Sequence, residues 1–231
     1  MNASQTDSIL TGQTESHLSP VSESKARLHQ AVVIPLENLR KKAHRAGFEL
    51  EVVSGFRSFE AQVAIWNAKA SGQRAVLDAR GKVLDISQLS PRELVYSILH
   101  WSALPGASRH HWGTDLDVID RLSVPPGYSV QLTEAEVRPG GMFGALHDWL
   151  DRHMHEEGFF RPYQRDMGGV QPERWHLSHS PTAQPLFKAH NPALLEAAIA
   201  GSALTLKDEI LAELPEIFDR FFLRISDAPR V

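Results

Sequence analysis

Hydrophobic residues recur along this chain at two spacings. Between residues 22 and 46, Leu28, Val32, Leu36, Leu39 and Ala43 return every three or four positions, with Lys25, Arg27, Arg40, Lys41 and Lys42 off that stripe. This is the pattern of an amphipathic helix, with a bend expected at Pro35 and an end at Gly47. Phe48 to Val53 then alternates apolar and polar, as a half-buried strand does. A second helix is expected from Phe59 to Ala70, closed by Ser71-Gly72. Residues 73–90 read as an irregular or hairpin-like insert. Ser90-Pro91-Arg92-Glu93 then supplies the cap, first-turn proline and capping-box glutamate of a short helix reaching about Trp101.

Leu104-Pro105-Gly106-Ala107 breaks the chain, and Thr114 to Ile119 alternates as a strand. Prolines and glycines mark a long loop from Val124 to Gly141, and loops of that length are usually functional or mobile. Phe143 to Glu157 carries Leu146, Trp149, Leu150 and Met154 on one helical face and stops at Gly158. After a loop over 159–171, a short strand is expected over 174–178. Residues 192–200 and 206–223 return to helical spacing. Helices and short strands interleave without a βαβ rhythm or a repeat, so the expected fold is α+β. The expected organisation is a flexible tail over 1–21, an ordered domain over 22–190 and a helical C-terminal extension over 191–231.

The composition fits a globular protein: 42% of the 231 residues are hydrophobic and 23% charged. A net charge of −4 gives no positive field to draw in nucleic acid or an anionic membrane. The first twenty residues are polar and lack the basic and apolar regions of a secretory leader, and no window approaches the length of a membrane span. These features lead us to expect no membrane insertion and a cytoplasmic location, with periplasmic action through another export route left open. Cysteine is absent, so a metal must be held by His, Asp or Glu, and 12 histidines make such a site worth seeking.

Three stretches carry chemistry. In Ser108-Arg109-His110-His111-Trp112-Gly113-Thr114-Asp115-Leu116-Asp117, His110 lies in a loop and Asp117 on the following strand, with Gly113 allowing the turn between them. In Glu173-Arg174-Trp175-His176, Glu173 and His176 share a side if the strand begins after Glu173. Joined to His110 and Asp117, His176 would complete a set of two imidazoles and one carboxylate, leaving a fourth zinc position open and Glu173 placed as general base. In Ser54-Gly55-Phe56-Arg57-Ser58-Phe59-Glu60-Ala61-Gln62, the Arg57 fork could hold a carboxylate or a developing oxyanion. Asp115 projects to the same side of its strand as Asp117, so spacing leaves it open as a partner of a ligand or as the ligand itself. His111 raises the same question beside His110.

Read together, Ser54-x-x-Arg57 with Gln62, Ser108-x-His110-x-x-Gly113-x-x-x-Asp117 and Glu173-x-Trp175-His176 resemble the signatures of the VanY-type D-alanyl-D-alanine carboxypeptidases. These zinc peptidases act on peptidoglycan stem peptides, within the superfamily of lysostaphin-type enzymes and the hedgehog domain. The resemblance spans about residues 30–180. It implies an α+β domain around a small antiparallel sheet, with His110, Asp117 and His176 as zinc ligands and Glu173 as catalytic base. It further implies Arg57 at the oxyanion or the substrate's C-terminal carboxylate, Gln62 and Ser108 assisting there, and Trp175 walling the site. The family usually has a small residue where this chain has Asp115.

The implied activity is zinc-dependent removal of a C-terminal D-amino acid from peptidoglycan-derived peptides, as a D,D- or L,D-carboxypeptidase or a dipeptidase. Alternatives are an endolysin-type endopeptidase and an inactive metal-binding recognition module. Oligomeric state is left open. His147, Asp148, His153, His155, Glu156 and Glu157 are read as a solvated helix face, since His155-Glu156-Glu157-Gly158-Phe159 lacks the second histidine of an H-E-x-x-H motif. His179 is expected in a loop or beside a ligand, Trp101 and Trp149 in the core, and Arg220 to Arg224 packed on protein rather than on a membrane.

Overall fold

The computed structural model describes residues 3–22 and 24–226. In chain order the elements are α1 (Ala3–Leu10), β1 (Leu18–Pro20), β2 (Arg27–His29), α2 (Gln30–Arg45), β3 (Leu50–Ser54), α3 (Phe59–Ala70), α4 (Pro91–Leu99) and β4 (Asp115–Asp120). Then follow α5 (Glu134–Val137), α6 (Gly144–His153), β5 (Phe159–Phe160), β6 (His176–His179), α7 (Ser180–Ala189), α8 (Pro192–Ala200), α9 (Lys207–Ala212), α10 (Leu214–Ile217) and a π-helical run over Phe218–Leu223. The expected α+β class is what forms. Strands β3, β4, β6 and β5 pair antiparallel in that spatial order, and β1 with β2 makes a separate two-stranded ribbon.

Strand alternation divides the sheet into two chemically distinct faces. One face sends Leu50, Val52, Leu116, Val118 and Leu177 into a cluster with Leu36 and Leu39 of α2 and Leu146 and Leu150 of α6. The other carries Asp115, Asp117, His176 and Ser178, all buried. Helix α2 starts at Gln30 instead of near residue 22, because Arg27 to His29 pair with β1; Pro35 lies inside the helix without ending it. At the start of α4, Ser90 Oγ accepts from Glu93 N–H and the Glu93 carboxylate accepts from Ser90 N–H at 2.8 Å, a reciprocal cap of the kind worth about 1 kcal/mol.

The N-terminal segment is not a loose tail. Ile9 and Leu10 are buried, Trp112 Nε1–H donates to the Leu10 carbonyl at 3.1 Å, and Phe59 N–H to that of Gly12 at 2.9 Å. A polar stretch with a single apolar pair reads as solvated, yet that pair suffices once the rest of the fold supplies a cover. The C-terminal helices likewise share one core with the middle of the chain. Ile199, Ile210, Ile217, Phe218 and Phe222 pack in the cluster that holds Trp66, Val95, Ile98 and Trp112. Arg220 to Arg224 thus belong to a segment packed on protein, as expected. Among the described residues no helix is long and apolar enough to cross a membrane.

Candidate active site

Sheet register brings the first two site residues together. Asp117 on β4 pairs directly with His176 on β6, and Ser54 on β3 flanks Asp117 on its other side. Residues opposed in this way hold their Cβ atoms about 4.5–5.5 Å apart on one face. The third comes from the tight turn Arg109–Trp112, which ends at Gly113 with φ of 67°. The backbone crosses β2 so closely there that a Cβ on Gly113 would lie 2.6 Å from His29 N. His110 is thereby set over the sheet with Nε2 3.5 Å from Asp117 Oδ2, while His176 Nδ1 lies 3.3 Å from Asp117 Oδ1. One donor atom from each of His110, Asp117 and His176 falls within 4.8 Å of the others, all three residues being buried.

The outer nitrogens of both imidazoles are already engaged, which fixes the tautomers. His110 Nδ1–H donates to the Gly55 carbonyl at 2.8 Å and His176 Nε2–H to Asp115 at 2.9 Å, leaving His110 Nε2 and His176 Nδ1 as the inward-facing lone pairs. Asp115 is therefore the partner of His176 and stands behind the cluster. It also accepts from Arg109 Nε at 2.8 Å, from Ser178 Oγ and from Thr114 Oγ1. Burial opposes its charge, but Arg109 and His176 outweigh that and hold the carboxyl well below the usual range. His111 is structural: its Nδ1–H donates to the Arg57 carbonyl at 2.6 Å, its Nε2 accepts from Gly106 N–H, and burial pulls it down to about 3.

These residues fit a cation. Asp117 Oδ1 is buried without a well-formed hydrogen bond. Burial keeps His110 neutral, pulling it down to about 4, as a ligand nitrogen requires. At His176, burial disfavours the imidazolium, yet Asp115 and Asp117 outweigh it and push the ring up to about 10, the mark of a negative pocket that calls for positive charge.

Glu173 precedes β6, with its N–H bonded to the Tyr163 carbonyl at 2.9 Å and its carbonyl accepting from His176 N–H. That turn puts Glu173 on the same side as His176, with Oε2 3.5 Å from His176 Nδ1. Burial pushes its carboxyl up to about 7. Arg57, Ser108, His110, Asp117, Glu173, Trp175 and His176 all line one cleft of about 360 Å³. Arg57 is braced there by Gln62 Oε1 at 2.9 Å and Ser54 Oγ at 3.1 Å. Gln62 itself is fully buried, and its amide donates to the Ala103 carbonyl at 2.7 Å. It therefore reaches the cleft, where it was expected to assist at the substrate's carboxylate, through Arg57.

Sequence comparison bears on this geometry. Residues 25–182 match the VanY family, described as D-alanyl-D-alanine carboxypeptidase. The chain belongs to that family. Its curated relatives include an uncharacterized protein of Haemophilus influenzae, 31% identical over 122 residues that make up 52% of this chain and 93% of that protein. Another is the putative carboxypeptidase YodJ of Bacillus subtilis, 26% identical over 62% of this chain and 43% of that one. The fold resembles the zinc complex of a mutant of the vancomycin resistance D,D-pentapeptidase VanY, with a TM-score of 0.51 and 23% identity over 81% of this chain and 91% of that one. It also resembles the LD-carboxypeptidase LdcB, with a TM-score of 0.53 and 21% identity over 90% of this chain and 80% of that one.

Several neighbours of the site escaped the sequence. Arg109 is buried against Asp115, donates to Ser178 Oγ at 2.7 Å and stacks over Trp112. Tyr163 packs its ring 5.0 Å from His176, while Lys69 and Arg74 line the cleft. Only the position of Arg109 inside a motif hinted at a role. Trp101, expected in the core, is half-buried and borders the cleft, with its indole N–H on the Asp78 carbonyl. Trp149 is in the core as expected. Of the histidines read as a solvated face, His147 is instead fully buried against Arg161, while His155 is exposed. His179 closes β6 on the face opposite His176, bonded to Thr182.

Proposed function

We propose that the chain is a zinc-dependent metallocarboxypeptidase that removes a C-terminal D-amino acid from peptidoglycan-derived peptides. The observation that carries this reading is Glu173, a carboxyl only 13% exposed, beside the His110–Asp117–His176 group and in one cleft with Arg57. Two imidazoles and a carboxylate are a three-ligand set of the kind that leaves catalytic zinc an open position. Family membership supports the choice of substrate, as do structural neighbours described as a VanYB complex with D-alanine-D-alanine and as an LdcB structure revealing peptidoglycan recognition.

When bound, zinc supplies Lewis acidity, which brings the acidity of water toward neutrality and polarises a carbonyl. Glu173, pushed up to about 7, takes the proton from the water that attacks the peptide carbonyl and returns it to the leaving amine. Arg57 sets a fixed positive charge against the terminal carboxylate or the developing oxyanion. Ser108 and Trp175 border the bound residue, and Gln62 acts by bracing Arg57. His110 presents a neutral nitrogen, its other ring position held by Gly55, and on His176 the Nδ1 proton would give way to the metal while Asp115 holds Nε2.

The test is mass spectrometry of defined peptides ending in two D-alanines, incubated with zinc-loaded protein. Release of single terminal residues is expected, whereas internal fragments would establish the endopeptidase instead. Glu173→Gln should retain zinc and lose about 10²- to 10⁴-fold in kcat. Full activity in that variant would sink the mechanism, and absence of hydrolysis by the unaltered protein would leave a recognition module.

A further inference from the structure

Two cations in the cleft take no part in this chemistry. Lys69, half-buried in the last turn of α3, and Arg74, where the chain folds back through an Arg74 N–H bond to the Ala68 carbonyl, line the same cavity as Arg57 and Glu173. Ile65, one turn before Lys69 on α3, lines it too, so this helix forms one wall of the cleft. Among the described residues, neither the Lys69 ammonium nor the Arg74 guanidinium has a hydrogen bond or ion pair through its side chain. The groups whose charge reaches Lys69 are Glu173, Arg74 and Arg57.

Desolvating an ammonium is costly unless an anion compensates it. Burial pulls Lys69 down to about 8, still above neutrality, so it remains charged at pH 7. Glu173 does not serve as its fixed counter-ion: its carboxylate lies 3.5 Å from His176 Nδ1 and makes no ion pair with Lys69. With Arg57 assigned to the terminal carboxylate of a peptide, the Lys69 ammonium on α3 and the Arg74 guanidinium, exposed where the chain folds back after that helix, are left without an anion. Leu77, Trp101 and Leu132 line the same cleft and give it apolar surface alongside these charges.

We infer that Lys69 and Arg74 form a second anion subsite that recognises a free carboxylate on the substrate peptide other than the one at its C-terminus, within a residue or two of the scissile bond. This rests on the carboxypeptidase reading and adds the substrate's acidity to it. The subsite acts in recognition, so it should move KM more than kcat.

The experiment compares matched peptides on zinc-loaded protein. Each pair differs only in carrying a free side-chain carboxylate or its carboxamide, one pair with the acid on the leaving residue and one with it on the acyl side. The acidic member of one pair should have a kcat/KM higher by roughly tenfold or more, chiefly through KM. Lys69→Met and Arg74→Gln should remove that preference and leave the carboxamide peptide within about twofold. Lys69→Arg should keep it. Equal rates for acid and amide in both pairs, or an equal loss on both members in the variants, overturns the subsite. Should no peptide be hydrolysed, calorimetric titration of the same pairs separates the two readings: a retained preference for the acid upholds the subsite while the peptidase fails, and equal binding overturns the subsite.

Discussion

One carboxylate, Asp115, answers two buried basic side chains. It orients the His176 ring through a 2.9 Å hydrogen bond and neutralises the buried Arg109 at 2.8 Å. Asp115→Asn preserves its shape and removes its charge. Loss of such a partner behind a ligand histidine typically costs 10- to 100-fold in metal affinity, and an uncompensated buried arginine costs about 3–5 kcal/mol of stability. A zinc competition titration together with urea unfolding should show both losses in this variant. Zinc affinity unchanged in Asp115→Asn would mean that His176 is oriented by Asp117 and Tyr163 alone.

At the scale of elements, Gly113 couples the ribbon β1–β2 to the turn that carries His110. Its positive φ and its approach to His29 exclude a Cβ. Gly113→Ala should therefore cost more than about 1 kcal/mol, visible as a lowered melting temperature, with zinc affinity falling because His110 shifts. Elements with strong local periodicity could be read from residues alone: α3, α4, α6 and β4 lie close to where spacing and capping put them. Helix α1 and the β1–β2 ribbon could not, because their stability comes from partners far along the chain, such as Trp112 over Leu10. The same division runs through the site. His110, Asp117, Glu173 and His176 were legible because short spacings bind each to a turn or strand. The support given by Gln62 and Arg109, and the cleft position of Lys69, depend on contacts that no local pattern encodes.

Over the whole molecule, buried imidazoles tie stability to pH. Burial pulls His110, His111 and His147 down to about 4, about 3 and about 2. In the unfolded chain they take up protons near pH 6.5, so below that value the unfolded state binds more protons and stability falls as the pH falls. Each contributes a slope of about 1.4 kcal/mol per pH unit until its folded pKa is reached. His176, raised to about 10, has the opposite sign, but its contribution is complete by pH 6.5 and does not change below it; Glu173, raised to about 7, opposes the three rings within this window and offsets about one of them. Zinc-free protein should therefore lose on the order of 1–2 M in its urea midpoint between pH 6.5 and 5. A flat profile would place these rings in water.

The pairing of Asp117 with His176 has a further reach. A slip of one residue between β4 and β6 would turn the slipped strand over relative to its partner, leaving Asp117 and His176 on opposite faces, one of them against the face now filled by Leu116 and Leu177. A mispaired molecule would then hold no ion at all. Metal stoichiometry in a preparation should report the fraction of chains whose strands zipped correctly, making the ion a witness to folding as well as a reagent.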